Sequence, residues 1–277
     1  MTATHLQADT IGYVCNLVRD RSAIVIEPEK SYLIESRLSP VARRHGFAST
    51  AELIRAIRDR RQADLQRQVV EAMTTNETSF FRDLHPFESL RTSILPDLTQ
   101  RRRTQQRLAI WSAACSTGQE IYSIAMLLRE HFPHLANWNI TLRGTDISEE
   151  VLTKAREGKY TQIEVNRGLS AHLLTKYFVR EGAHWRLSPA IRGMAEFSQL
   201  NLIEAWSGLP QFDVILLRNV LIYFSPDTKK LILSRLRSVL APDGLLMLGG
   251  AESTLGLDAT FEKVQVGASV CYRHHAP

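Results

Sequence analysis

Cysteine is scarce in this 277-residue sequence: Cys15, Cys115 and Cys271 stand far apart, with no CxxC pair and no Cys/His cluster at zinc spacing. That pattern indicates neither a disulfide framework nor a structural metal. Long apolar runs are also missing. Stretches such as Val214–Leu217 and Leu245–Leu248 fall far short of the roughly 18 to 20 residues that cross a bilayer. The first residues, Met1 to Asp9, lack the basic patch and apolar core of a secretory leader, which predicts a chain that stays in the cytoplasm. No repeat or low-complexity tract occurs. With hydrophobic residues at 44% and charged ones at 23%, the chain has an ordinary globular composition, and its length suits two modest domains.

The formal charge of +5 raises a polyanionic partner as a first idea. Most of the excess lies in the first 110 residues, which carry 17 Lys and Arg against 13 Asp and Glu. A solvated helix face accounts for so modest a bias.

Two textures divide the chain. Residues 9 to 75 read as helices, with Asp9 or Thr10 as a first cap, and Ile34, Leu38 and Val41 at helical spacing before Gly46. Further helices are expected from Ser49 or Thr50, from Ala63 to Met73, and from His85 to about Gln100, beyond a polar segment at Thr74–Asp83. After Arg107 the pattern becomes apolar runs at 108–114, 140–147, 212–220 and 245–248, alternating with helical stretches at 119–131, 148–158 and 227–240. Such alternation predicts a doubly wound α/β domain with a mostly parallel sheet. Between about 173 and 200 the rhythm breaks into short pieces, Trp185–Pro189 and Ala195–Gln199, which suggest a small antiparallel β-subdomain. The expected division is therefore an all-α domain at 1–75, a linker at 76–106, and the α/β domain at 107–277.

Ligands of such sheets bind at the carboxyl ends of the strands. The first strand empties into Ala113-Ala-Cys-Ser-Thr-Gly-Gln-Glu120, with one glycine where a dinucleotide fingerprint has three, and an acid that would repel a pyrophosphate. The second ends at Asp146, placed to accept hydrogen bonds from ribose hydroxyls, although it could equally cap the following helix. A nucleoside without a phosphate cradle favours S-adenosylmethionine. Arg218 and Asn219 interrupt a very apolar strand, and buried polar groups there need partners that a ligand can supply. Tyr223 would face the same crevice, or else pack as a core aromatic.

Four segments in order then make a specific resemblance: Thr75-Asn-Glu-Thr-Ser-Phe-Phe-Arg82, Trp111 to Ala125, Gly144-Thr-Asp-Ile-Ser148 and Arg218-Asn-Val-Leu-Ile-Tyr-Phe224. Together they resemble the CheR family of chemotaxis receptor methyltransferases over essentially the whole chain. The resemblance implies methylation of glutamate side chains on the cytoplasmic helical bundle of chemoreceptors, with S-adenosylmethionine as cofactor and S-adenosylhomocysteine as product. Carried over by position, it implies that Asn76, Thr78 and Arg82 contact the cofactor from the linker. Glu120 and Asp146 would hold its amino and ribose groups, Asn201 and Leu202 flank its adenine, and Arg218 and Asn219 close around its methionine part. Tyr223 and Arg82 would then be catalytic, near the transferred methyl and the substrate carboxylate. Gln119-Glu-Ile stands where many members have Glu-Glu-Pro.

Arg37, Arg43 and Arg44, beside the apolar stripe of one predicted helix, are the expected docking residues for an acidic receptor helix, the use the family makes of its front domain. Members that tether to a receptor-tail pentapeptide have a longer, Gly-rich loop in the β-subdomain. Val179–Arg186 is short, which predicts a tether-independent enzyme. A monomer is expected, with no membrane insertion. The basic triplet Arg101–Arg103 keeps a nucleic-acid methyltransferase as a rival. Against it, the chain shows Arg218-Asn-Val-Leu rather than an Asn/Asp-Pro-Pro-aromatic motif. A non-catalytic module that senses S-adenosylmethionine is the second rival.

Overall fold

The structure, a computed structural model, describes residues 6–27, 32–60 and 62–274. The leader reading of Met1–Asp9 therefore lies largely outside the described residues. The apolar spacing of the front segment closes into four helices, Ala8–Ser22, Tyr32–Arg44, Thr50–Arg60 and Ala63–Ala72. Ile34, Leu38 and Val41 meet Val14, Val18, Leu53, Ile57 and Val69 in a core of their own. Asp9 and Thr10 are not the first cap: the helix begins at Ala8 after Gln7, and Asp9 sits in its first turn, paired with Arg58 at 2.8 Å. An acid there complements the helix dipole without capping it. The third helix is capped reciprocally, Ser49 Oγ accepting from Glu52 N and the Glu52 carboxylate from Ala48 N.

The second half builds ten strands: β1 (Arg107–Ala113), β2 (Asn139–Asp146), β3 (Lys159–Thr161), β4 (Phe178–Glu181), β5 (His184–Leu187), β6 (Ala195–Gln199), β7 (Phe212–Leu217), β8 (Leu240–Leu248), β9 (Phe261–Val266) and β10 (Ser269–His274). Seven form one sheet in the order β6-β2-β1-β7-β8-β10-β9, parallel from β6 to β8, with β10 antiparallel to both of its neighbours. Alternate residues serve the two faces. Leu108 and Ile110 pack with the helix Gln119–His131, while Ala109 and Trp111 face the helix Pro226–Val239. The strand order reverses between β1 and β7, so a crevice opens outside their carboxyl ends.

Three expectations shift. Ala195–Gln199 is no part of the antiparallel excursion: it runs parallel to β2, Leu142 opposite Ala195 through Asp146 opposite Gln199. The β-subdomain is instead the three-stranded sheet β3-β5-β4 and begins at Lys159. The strand at 212 ends at Leu217 rather than Val220, because Asn219 turns left-handed at φ 60°. β8 starts at Leu240, its Pro242–Gly244 segment absorbed as a register shift against Phe212 and Val214.

The basic triplet is largely consumed by structure at the amino-terminal edge of the sheet. Arg101 pairs with Asp97 and Asp243, and Arg102 with Asp213 and Asp243, while Asp213 also accepts from Ala109 N at 2.8 Å. The hydrogen bonds from Arg102 hold the Asp243 carboxyl down at about 2. Its folded value lies below its unfolded one, so this stabilisation is complete above about pH 4 and fades as pH falls through about 2. Asp243→Asn is expected to lower unfolding free energy by about 1 kcal/mol at pH 7, allowing for solvent screening, and by less at pH 2. Denaturant titrations at the two pH values check this, and equal losses at both would contradict it.

Candidate functional site

The turn after β1 is where main chain is bent to serve a ligand. Ala114, Ser116 and Gly118 all have positive φ, at 54°, 51° and 89°. For the two residues with side chains this costs about 1 to 3 kcal/mol each and persists because neighbours hold it. Ser116 N donates to Asp146 Oδ2 at 2.9 Å, and Cys115 N donates to Thr145 O. Gly144 on β2 allows the close approach: a Cβ there would stand 2.7 Å from the Phe197 ring and 3.0 Å from Cys115 Sγ.

Asp146 Oδ1 accepts from Ser148 N at 3.0 Å in a local turn, but Asp146 is not the cap: Ser148 holds the N-cap position of the helix Glu149–Glu157. The Asp146 side chain is buried, and that burial pushes its carboxyl up despite the opposing main-chain N–H groups. Each oxygen keeps a lone pair beyond those bonds, as a pair of hydroxyl donors requires.

Glu120, one residue into the helix Gln119–His131, accepts from Ser112 Oγ at 2.8 Å and from Arg218 Nη1 at 2.8 Å. Arg218 is buried, and its other terminal nitrogen donates to Arg82 O and to Asp83 Oδ2. The guanidinium thus ties the end of β7 to that helix and to the linker. Asn219, next along, leaves Oδ1 buried with no partner among the described residues.

Linker and front domain close the other side. Ser116 Oγ donates to Asn76 O, Arg82 Nη1 donates to Glu77 O, and Glu77 pairs with Arg167. Gly168 passes beneath Phe80, where a Cβ would fall 1.9 Å from Phe80 O. Beyond the first helix, Ile24 forms an antiparallel bridge with Phe224, and Val25 N donates to Tyr223 O. Asn201 Nδ2 donates to Arg21 O at 2.8 Å. Glu71, on the fourth front helix, accepts from Ser148 Oγ at 3.2 Å, and burial pushes its carboxyl up.

These contacts line one cleft outside the carboxyl ends of β1, β2 and β7. Asn76, Thr78, Arg82, Glu120, Asp146, Asn201, Leu202, Arg218, Asn219 and Tyr223 all line it, so the residues singled out from the sequence meet in one place. The basic trio does not. Arg37 donates to Met73 O, Thr74 O and Thr75 Oγ1, so its guanidinium secures the start of the linker and is not free to dock a partner. Arg44 spans the domain junction to Glu150 at 3.3 Å, and Arg43 is the one of the three that is exposed without such a bond among the described residues. Sequence reasoning missed Ser22 and Ile24, which line the cleft from the first helix and its exit, because nothing local shows where that exit leads. Glu71 escaped for the same reason.

The donor set fits a nucleoside carrying a cation. Glu77, Glu120 and Asp146 outnumber Arg82 and Arg218 on the lining, and the unpartnered Asn219 Oδ1 calls for a donor. A phosphate would meet Glu120 at the helix N-terminus instead of free N–H groups. Among the described residues no cluster of three His, Cys, Asp or Glu is placed to hold a metal, and no helix is long and apolar enough to cross a membrane.

Two family models match end to end. Residues 9–74 match the all-alpha domain of CheR methyltransferases, and residues 76–270 match their S-adenosylmethionine-binding domain. The chain belongs to the CheR methyltransferase family. It is 41% identical over 254 residues to chemotaxis protein methyltransferase 1 of Pseudomonas aeruginosa, covering 90% of this chain and 92% of that one. It is 40% identical to the chemotaxis protein methyltransferase Cher2 of Pseudomonas putida over the same shares. Against chemotaxis protein methyltransferase 1 of Vibrio cholerae the identity is 37%, covering 99% of each chain. S-adenosylmethionine is therefore the cofactor of this CheR fold. Asp146→Ala should weaken S-adenosylhomocysteine binding at least about 100-fold by calorimetry, as loss of two charge-assisted hydrogen bonds requires. Unchanged affinity would remove Asp146 from the site.

Proposed function

We propose that this protein transfers the methyl group of S-adenosylmethionine to glutamate side chains on the cytoplasmic helical bundle of chemoreceptors. The products are glutamyl methyl esters, the covalent mark of chemotaxis adaptation, and S-adenosylhomocysteine. The observation that carries this reading is that Tyr223 and Arg82 line the same cleft as Glu120 and Asp146. The names of the relatives, chemotaxis protein methyltransferases, support the same class of acceptor.

The bound cofactor supplies a sulfonium-activated methyl group. A substrate glutamate, with an ordinary pKa near 4.3, is ionised at neutral pH and needs no general base. The task left to the protein is alignment, for which well-oriented groups reach effective molarities of about 10^5 to 10^8 M. Arg82 steers the incoming carboxylate, using the guanidinium nitrogens left over from its bond to Glu77 O. Tyr223 offers a hydroxyl that orients the same carboxylate, its main chain held by Val25 N. Tight ion pairing in the ground state would slow transfer, so a partly engaged arginine suits the step.

Docking runs over the outer face of the helix Tyr32–Arg44, with Arg43 as its exposed cation and Arg44 beside it. Exposed pairs are worth about 0 to 1 kcal/mol each, so a receptor helix would need several such contacts. The hairpin of the β-subdomain turns through two residues, Gly182 and Ala183, between β4 and β5. So tight a turn favours an enzyme that acts without a pentapeptide tether.

The test is transfer of radiolabelled methyl onto a panel of receptor cytoplasmic fragments, with the labelled residues mapped. Base-labile label on glutamates of at least one fragment is expected, and label on nucleic acid or on no acceptor would overturn the reading. In the same assay Tyr223→Phe should lower turnover about 10- to 100-fold while cofactor affinity stays within about twofold. Wild-type turnover would make Tyr223 a packing residue.

A further inference from the structure

Glu252 has no place in the chemistry above, yet four main-chain N–H groups converge on its carboxylate. Oε2 accepts from Gly249 N at 2.7 Å and Asn219 N at 2.8 Å, and Oε1 accepts from Val220 N at 2.7 Å and Ile222 N at 3.3 Å. The turn that carries it folds back on itself, Glu252 N donating to Gly249 O at 2.9 Å. Neighbouring strands β7 and β8 are thereby stapled together just beyond their carboxyl ends. Gly249 permits the approach: a Cβ there would lie 2.7 Å from both Asn219 N and Glu252 Oε2.

Asn219 needs such a hold. At φ 60° it occupies the left-handed region, which asparagine tolerates better than other residues with side chains but still less readily than glycine. The successive N–H groups of residues 219 and 220 form the kind of concavity that captures an anion, and here the chain supplies the anion itself. Held this way, the turn leaves Asn219 on the cleft lining with Oδ1 buried and unpartnered among the described residues.

We propose that Glu252 is a positioning residue for cofactor binding: its carboxylate fixes the left-handed turn that presents Asn219 Oδ1 to an N–H or O–H donor of S-adenosylmethionine. This rests on the assignment of Asn219 to the cofactor and is independent of which protein accepts the methyl. A carboxylate can only accept at both oxygens, whereas the glutamine amide has the same shape and turns an NH₂ group toward one pair of donors. Glu252→Gln therefore disturbs two of the four bonds with little change in packing.

The experiment is a calorimetric titration of S-adenosylhomocysteine into the full chain as wild type, Glu252→Gln, Asn219→Gly and the double variant, each with a thermal melt. Glycine keeps the left-handed turn and deletes Oδ1. Glu252→Gln should weaken binding about tenfold or more while still melting cooperatively, and the double variant should bind no more weakly than the weaker single one, because both changes remove the same contact. Wild-type affinity in Glu252→Gln, or losses that multiply in the double variant, would overturn the proposal. If Glu252→Gln does not fold, Gly249→Ala displaces the same turn with the carboxylate intact and must weaken binding likewise; wild-type affinity there overturns it. Failure of the cofactor assignment would register separately, as loss of binding confined to neither variant but already missing in the wild type.

Discussion

Arg218 carries a full positive charge to a place where 2% of its side chain meets solvent. A buried cation is tolerable only with anions beside it, and removing one partner costs about 3 to 5 kcal/mol. Its partners come from different parts of the chain: Glu120 from the helix after β1, and Asp83 with the Arg82 carbonyl from the linker. The end of β7 cannot be neutralised unless helix and linker are both in place. Folding the α/β domain and docking the linker are in this sense one event. The Phe87 ring, 5.9 Å from the guanidinium carbon, extends the same dependence into the core beneath the linker helix.

The site is accordingly shared by every layer of the molecule. The sheet provides Asp146 and the strained turn at Ala114–Gly118, whereas the linker provides Asn76, Thr78 and Arg82. The front helices contribute main chain more than side chains, through Val25 to Tyr223 and through Arg21 O to Asn201. Left-handed residues at Phe81, Asp83, Leu84, Ala114, Ser116 and Asn219 all fall on segments that border the cleft or the Arg218 staple. Strain of this kind is stable only where the surroundings determine the main chain several times over. The all-α front domain is thus also a wall of the cleft.

The alternation of apolar runs and helices after Arg107 is local information, so the doubly wound architecture was legible from the sequence. Asp146, Glu120 and Asn219 were legible as well, since each breaks an apolar pattern at the carboxyl end of a strand or the start of the next helix. Ala195–Gln199 was not, because a half-buried edge strand alternates like one arm of a hairpin, and its partner β2 lies about fifty residues away. The hairpin β9–β10 escaped notice because charged residues, Glu262 and Lys263 in one arm and Arg273 in the other, interrupt the apolar pattern. Helical spacing placed Arg37 correctly beside an apolar stripe but held no sign that the carbonyls of Met73 and Thr74 wait opposite. Glu71 and Glu252 were silent for the same reason, their partners being main-chain atoms or side chains of distant segments.

The α/β domain, the linker and the exit of the first helix jointly line one cleft, and a cofactor held there must touch all three. Hydrogen exchange followed by mass spectrometry, with and without S-adenosylhomocysteine, tests it most directly. Slower exchange is expected together at residues 114–120, at 74–82, at 219–224 and at 23–27 when the ligand is bound. Protection confined to 114–120 and the end of β2, with the linker and the front segment unchanged, would contradict the account.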